Sequence, residues 1–393
     1  MQTAAMYLPG YHQCPFNSSW WGEGFTEWDM VRRARPLADK HQQPRVPTWG
    51  YYDLSISNNI SKQYSLAREF GIDGVCIYHY WSNGQRPLKT PIDLVLSDHS
   101  IKVRFSLCWA NHPWFSTWRA NTGKTKRLLS QTYEKGEAQR KKHIDFLLKA
   151  LSDDRAMRIN DRPVLSIYRA IDVPQIGTFI DHLRSEAHQK YGLELFLSAS
   201  VRANEEGSVD RLLRIFDSVK LIGTSALLPQ LENQKGLYSR LLSLHQLKAS
   251  IPNYLKSDTL RFLYWKLRDL PCKKGPYTLD YDAFWQAYLK IYDSFSQRWP
   301  GKIDAQALID WDNTPRMGPE GSYFFNFELD NLSQYVKQAA QKAMRYEPDS
   351  IFYLNAWNEW GEGSYLEPDE QFGYSRLETV SRAIQAASQM QPA

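Results

Sequence analysis

Over residues 351–369 the chain reads IFYLNAWNEWGEGSYLEPD. Glu359 and Glu362 stand three positions apart there, among Trp357, Asn358 and Trp360 and the glycines Gly361 and Gly363. Two carboxylates facing one cavity can divide the work of breaking a glycosidic bond. One gives a proton and the other serves as base or nucleophile. Rings beside a carboxyl strip water from it, raise its pKa and let it stay protonated near neutral pH. The glycines permit a tight turn that aims both side chains the same way. Tryptophan faces offer flat platforms to sugar rings, and asparagine and histidine offer directed hydrogen bonds to hydroxyls.

Such a pair needs a rigid support, and the run at 350–357 reads as one, an apolar strand. Seven similar runs precede it, at 3–9, 73–81, 102–111, 162–169, 193–200, 217–226 and 303–313. Helical periodicity falls between them at about 56–70, 91–98, 134–151, 174–190, 208–215 and 328–345, and again after the last run at 373–388. Eight strands alternating with helices predict an α/β chain folded as a parallel (β/α)8 TIM barrel. Strands buried on both faces read as near-continuous apolar runs, as most of these do. An open doubly wound sheet would call for a glycine-rich phosphate turn after an early strand. No GxGxxG or Walker motif is present. Residues 1–393 are expected to form a single catalytic domain, with 227–302 a mostly helical insertion after strand six that forms a rim or lid.

In such a barrel the chemistry sits at the C-terminal ends of the strands. The catalytic candidates are Glu359 and Glu362. The substrate-binding candidates begin with Tyr7 and the loop residues Trp21, Glu27 and Trp28. Strand two contributes His79, Tyr80 and Trp81, strand three Trp109 and Asn111, and strand four Tyr168. Strand seven contributes Asp310, Asp312 and Asn313, and strand eight Asn358 and Trp360. Asp310 and Asp312 alternate along a strand, so they should face opposite ways and at most one should enter the barrel mouth. Neither HExxH, CxxC nor GxSxG occurs, so no metal, no cofactor and no serine triad is expected.

The chain has 393 residues, of which 42% are apolar and 14% aromatic, with 14 tryptophans. That suffices for one large core and leaves rings over for ligands. The net charge of +5 is spread among mixed signs, unlike the basic face of a nucleic-acid binder. The densest basic run, QRKKH at 139–143, reads as a solvated helix face. Four cysteines show no paired spacing, and Cys76 and Cys108 are expected to be buried free thiols. The start MQTAAMYLPGYHQ has no signal-peptide pattern, and no apolar run is long enough to span a bilayer. A cytoplasmic protein with a carbohydrate partner, no nucleic acid and no integral membrane segment is expected.

Eight stretches, YLPGYH, WWGEGFTEW, QPRVP, GYYDL, YHYW, CWAN, WDNTPR and NAWNEWGEGSYLEPD, occur in order across nearly the whole chain. Together they resemble the bacterial WbsX-type family, which is found with polysaccharide and O-antigen biosynthesis and carries a glycosyltransferase label. That family's barrel is similar to glycoside hydrolase family 99, the endo-acting α-mannosidases and mannanases. The hydrolase motif NEWxEG matches Asn358 through Gly363. The resemblance implies that Glu359 is the base assisting a sugar 2-hydroxyl as it attacks the anomeric carbon. It implies that Glu362 is the acid and then the base for water, with retention overall. Two departures bear on the substrate. Gly361 stands where the hydrolase motif has histidine, and His112-Pro113 follows CWAN where the family pattern has an acidic residue and asparagine.

The leading expectation is a retaining, endo-acting glycoside hydrolase or transglycosidase on a bacterial surface polysaccharide of the O-antigen kind. The alternatives are a WbsX-type glycosyltransferase and a non-catalytic carbohydrate-binding barrel.

Overall fold

The computed structural model describes residues 1–82, 84–115, 127–133, 137–227 and 276–389. Eight parallel strands form its centre. They are β1 (Gln2–Tyr7), β2 (Gly74–His79), β3 (Phe105–Trp109), β4 (Arg162–Ile167), β5 (Phe196–Val201) and β6 (Ser218–Leu221), then β7 and β8 (Ile351–Asn355). Strand β7 comes in two pieces, Ile303–Asp304 and Gln306–Leu308, on either side of Ala305. The first piece pairs with β6, matching Ile303 to Val219. The second pairs with β8, matching Gln306 to Tyr353. The sheet therefore closes through β7, and β1 pairs with both β2 and β8. All eight expected strands are present, each shorter at one or both ends than its apolar run.

The helices between strands are α1 (Ser57–Glu69), α2 (Thr90–Ser97), α3 (Glu137–Leu151), α4 (Ile176–Tyr191), α5 (Val209–Leu213), α6 (Tyr281–Arg298), α7 (Leu329–Tyr346) and α8 (Ser375–Gln389). Helix α7 shows why they form. Leu332, Tyr335, Val336, Ala339, Ala340 and Ala343 recur at helical spacing and are all buried, an apolar stripe with polar residues opposite. Helix α6 lies in the segment expected as an insertion. It starts at Asp280, whose carboxylate accepts the Ala283 amide proton at 2.8 Å, an N-cap that satisfies one of the free amides of the first turn. Residues 228–275, the bulk of that expected insertion, lie outside the described residues, as does Cys272.

Alternate strand residues face opposite ways. Ala5, Tyr7, Ile77 and Trp109 join the large cluster under the helices. Ala4, Met6, Cys76, Cys108 and Tyr353 form a second cluster inside the barrel. Lys220 is buried beside them, its ammonium 4.2 Å from the centre of the Tyr353 ring, a cation–π contact in place of water. Cys76 and Cys108 are buried free thiols. Among the described residues no helix is long and apolar enough to cross a membrane.

Candidate active site

Beyond β8 the chain makes a small hairpin that seats the glutamate pair. Asn358 and Glu359 pair antiparallel with Tyr365 and Ser364, and the residues between turn as a short 3-10 helix, Trp360–Glu362. Gly363 ends that turn at φ 63°, the left-handed region that glycine adopts without strain. Trp360 anchors it, stacked on Tyr365 at 3.7 Å between ring centres. The indole N–H of Trp360 donates to Glu367 at 2.7 Å.

Glu367 is a buried hub under this turn. It accepts hydrogen bonds from Tyr52, Gln63, Trp357 and Trp360. Burial pushes its carboxyl up to about 7, against the opposing pull of those four donors.

Above the turn, one guanidinium gathers three carboxylates. Arg316 donates from Nη1 to Glu362 Oε1 at 2.7 Å, and from Nη2 to Glu27 Oε2 at 2.7 Å and Glu359 Oε1 at 3.1 Å. Arg316 sits on the short helix Thr314–Met317 after β7, and Glu27 opens the helix Trp28–Arg33 after β1. Gly361 makes room for the arginine, since a Cβ there would lie 2.7 Å from Arg316 Nε. Burial pushes Glu359 up to about 8; Arg316 opposes this, and Glu362 and Glu27 add to it. The Glu359 side chain is only 8% exposed, whereas the Glu362 side chain is 29% exposed. The centre of the three glutamates is thus filled by an arginine. Among the described residues no group of His, Cys, Asp and Glu is arranged to hold a metal.

These groups line a cavity of about 480 Å³ at the C-terminal mouth of the barrel. Of the residues expected from the sequence, Glu359, Glu362, Trp21, Glu27, Tyr80, Tyr168 and Asn313 meet there. The structure adds Arg316, Tyr78, His112, Trp114, Gln306 and Asn355. Arg316 was visible in WDNTPR, but its role depends on a 43-position reach to Glu359 that spacing does not reveal. Tyr78 lies in β2 and Tyr80 just past its end, and both reach the cavity. The nearby arginines also matter. Burial, then Arg202, Arg169 and Arg316, press the His112 imidazole down to about 4, so it stays neutral and can donate or accept.

The other expected residues hold the walls instead of lining them. Tyr7 is buried and donates to Gln63 at 2.6 Å. Trp28 stacks near Tyr11 at 4.1 Å and donates to the Tyr52 carbonyl at 2.7 Å. His79 points outward to His143, nitrogen to nitrogen at 3.1 Å. Trp81 stacks flat on the same His143 at 4.5 Å, and Trp109 meets it edge-on at 4.6 Å. His143 is thus the buried exception in an otherwise partly or fully exposed QRKKH run. Asn111 clamps the end of β4, accepting the Arg169 amide proton at 2.7 Å and donating to its carbonyl at 2.9 Å. Asn358 does the same for β1, accepting from the Leu8 amide at 2.8 Å and donating to the Leu8 carbonyl at 3.0 Å. Trp360 is fully buried.

Asp310 and Asp312 do not take opposite faces. Strand β7 ends at Leu308, so alternation no longer applies, and Arg45 reaches both, at 2.8 Å and 3.7 Å. Arg376 also holds Asp310 at 2.9 Å, and His41 holds Asp312 at 2.9 Å. Both aspartates brace the loop that carries Arg316.

The fold is a closed (β/α)8 TIM barrel with acidic side chains at its C-terminal mouth. The structure is similar to that of a GH99 endo-alpha-mannosidase from Bacteroides thetaiotaomicron, with a TM-score of 0.56 and 11% identity over 100% of this chain and 99% of that one. A glycoside hydrolase-like protein also gives a TM-score of 0.56, at 12% identity over 86% of this chain and 89% of that one. At such identities the likeness is one of fold. The chain belongs to the family described as Glycosyltransferase WbsX, whose model matches residues 3–380. It is also 28% identical over 386 residues to the uncharacterized protein WxcX of Xanthomonas campestris pv. campestris, in two strains. That match covers 98% of this chain but 49% of each relative, so the chain spans about half their length.

Proposed function

We propose that this protein is a retaining, endo-acting glycoside hydrolase or transglycosidase that works through Glu359 and Glu362 on a bacterial surface polysaccharide of the O-antigen kind or its precursor. The observation that carries the reading is that both glutamates line one cavity and are bonded to one guanidinium. A carboxyl and a carboxylate held on one side of a cavity are the equipment of glycosidic cleavage. The indole of Trp21 and the phenols of Tyr80 and Tyr168 line the same cavity, apolar faces with polar edges suited to sugar rings. Residues 1–393 act as one catalytic unit in this reading. The family description favours a second reading, transfer from a sugar nucleotide.

One experiment separates the two. Wild type, Glu359→Gln and Glu362→Gln are incubated with a panel of bacterial surface glycans without sugar nucleotide, and products are read by mass spectrometry. Shorter oligosaccharides from wild type, reduced roughly 10²–10⁴-fold in both variants, support hydrolysis. Product that forms only when a sugar nucleotide is added supports transfer and overturns it.

A further inference from the structure

The resemblance in sequence makes Glu359 the base and Glu362 the acid, and the geometry argues for the reverse. We infer that Glu359 carries the transferable proton of this site and that Arg316 is the positioning residue that keeps Glu27 and Glu362 as carboxylates around it. This rests on the glycosidase reading for its chemistry, but not for its test.

Three observations lead to it. Arg316 places its two shortest bonds, both 2.7 Å, on Glu27 and Glu362 and its longer one, 3.1 Å, on Glu359. Charge-assisted bonds to a carboxylate are the short ones. One cation offsets one negative charge fully and a second in part, and a third carboxylate in the same buried space is disfavoured. Then Glu359 Oε2 is buried and has no hydrogen-bond partner among the described residues. As a bare carboxylate oxygen it would bear charge against a desolvated wall. As an O–H it carries no charge there, while Oε1 accepts from Arg316. Lastly, Glu362 is the more exposed of the pair, and water stabilises its charge.

The surroundings agree. The phenols of Tyr11, Tyr78 and Tyr80 face Glu359 and stay neutral, raised first by burial. Across the cavity Tyr168 and His112 are likewise neutral. Arg316 is therefore the single cation bonded to the three glutamates among the described residues. Gly361 belongs to the same device, since any side chain there would displace the guanidinium.

In the reaction, the Glu359 proton passes to the glycosidic oxygen as the bond to the anomeric carbon breaks. The bond's electron pair goes to that oxygen, and the leaving sugar departs as an alcohol. Glu362 meets the electron-poor anomeric carbon with a carboxylate oxygen, or takes the proton from a neighbouring sugar hydroxyl that attacks it. Water then bonds to the anomeric carbon and gives its proton to Glu359, which is restored; the bond displaced returns its electron pair to the Glu362 carboxylate or, on the second route, to the sugar oxygen, which takes its proton back from Glu362.

Difference infrared spectra test the assignment without substrate. Wild type minus Glu359→Gln at about pH 6.5 should leave a protonated-carboxyl band that bleaches only toward about pH 8. Wild type minus Glu362→Gln at the same pH should include a carboxylate band. Absence of the protonated band from the Glu359→Gln difference overturns the inference. Arg316→Gln, which leaves Glu359 in place, should move the bleaching to higher pH, and an unmoved midpoint overturns the role of Arg316. A band on Glu359 in a protein that cleaves no glycan keeps this inference and sinks the hydrolase reading. Cleavage by a protein whose protonated band belongs to Glu362 does the opposite.

Discussion

Glu367 ties the stability of the fold to pH. Its carboxyl is 2% exposed and has four neutral donors around it but, among the described residues, no cation bonded to it. Its pKa is raised from 4.5 to about 7 by burial. A carboxyl raised on folding keeps its full contribution to stability below the unfolded value, and loses it as pH climbs through the folded value. Each pH unit in that window is worth about 1.4 kcal/mol, so the wild type should lose about 3 kcal/mol between about pH 4.5 and about pH 7 through this residue alone. Glu367→Gln removes the titration and leaves one or two of the four donors unmatched, at about 1–3 kcal/mol each. Urea unfolding of both proteins from about pH 4.5 to about pH 8.5 reads the difference. The variant should be the weaker protein in acid, and the gap should close or reverse above about pH 7. Taking the difference cancels the other titrating groups. A gap that stays constant over the whole range would refute the reasoning, because it would mean that Glu367 is already ionised when the chain folds.

Other changes test the rest of the site. Gly361→Ala should cost about 1–3 kcal/mol in stability and should lower turnover at least tenfold, since the new methyl displaces Arg316; full activity in a folded variant would show that the arginine is dispensable. Arg376→Met leaves Asp310 with Arg45 alone and should cost about 3 kcal/mol on urea unfolding, the low end for a broken buried pair; a change under about 1 kcal/mol would place little weight on that brace. Trp21→Ala should raise KM roughly 2- to 10-fold with kcat little changed, the worth of one ring contact; a fall in kcat alone would remove Trp21 from sugar binding.

The barrel itself was legible because strands buried on both faces must be apolar throughout, and the eight runs stand out for that reason. What escaped was local. Ala305 splits β7 without any glycine or proline to announce it. The sixth helix falls in the stretch expected to be helical, but periodicity did not give its bounds there. Parity was the harder matter. The sequence nominated His79, Tyr80 and Trp81 together, yet side chains alternate, and only register tells that Tyr80 faces the cavity while His79 and Trp81 pack on His143. Tryptophan and asparagine beside a glutamate-bearing turn look alike whether they touch a ligand or hold the turn in place. Asn358 and Trp360 do the second. The glutamates were legible because carboxylates after an apolar strand, with no basic partner nearby in sequence, have few structural uses. Their partner Arg316 was not, since ion pairs across 43 and 289 positions leave no local pattern.

The seam between β1 and β8 has a consequence for how the protein is made. Leu8 and Asn358, joined by two hydrogen bonds, lie 350 positions apart, and Glu27 meets Arg316 across 289. On a ribosome adding roughly 5–20 residues per second, the open edge of β1 waits roughly 20–70 s for its neighbour to be synthesised. An unpaired strand edge is a template for pairing with another chain. Nascent chains crowded on one message should therefore aggregate more readily than the finished protein, and the cluster of glutamates on Arg316 should appear only after residue 362 has been made.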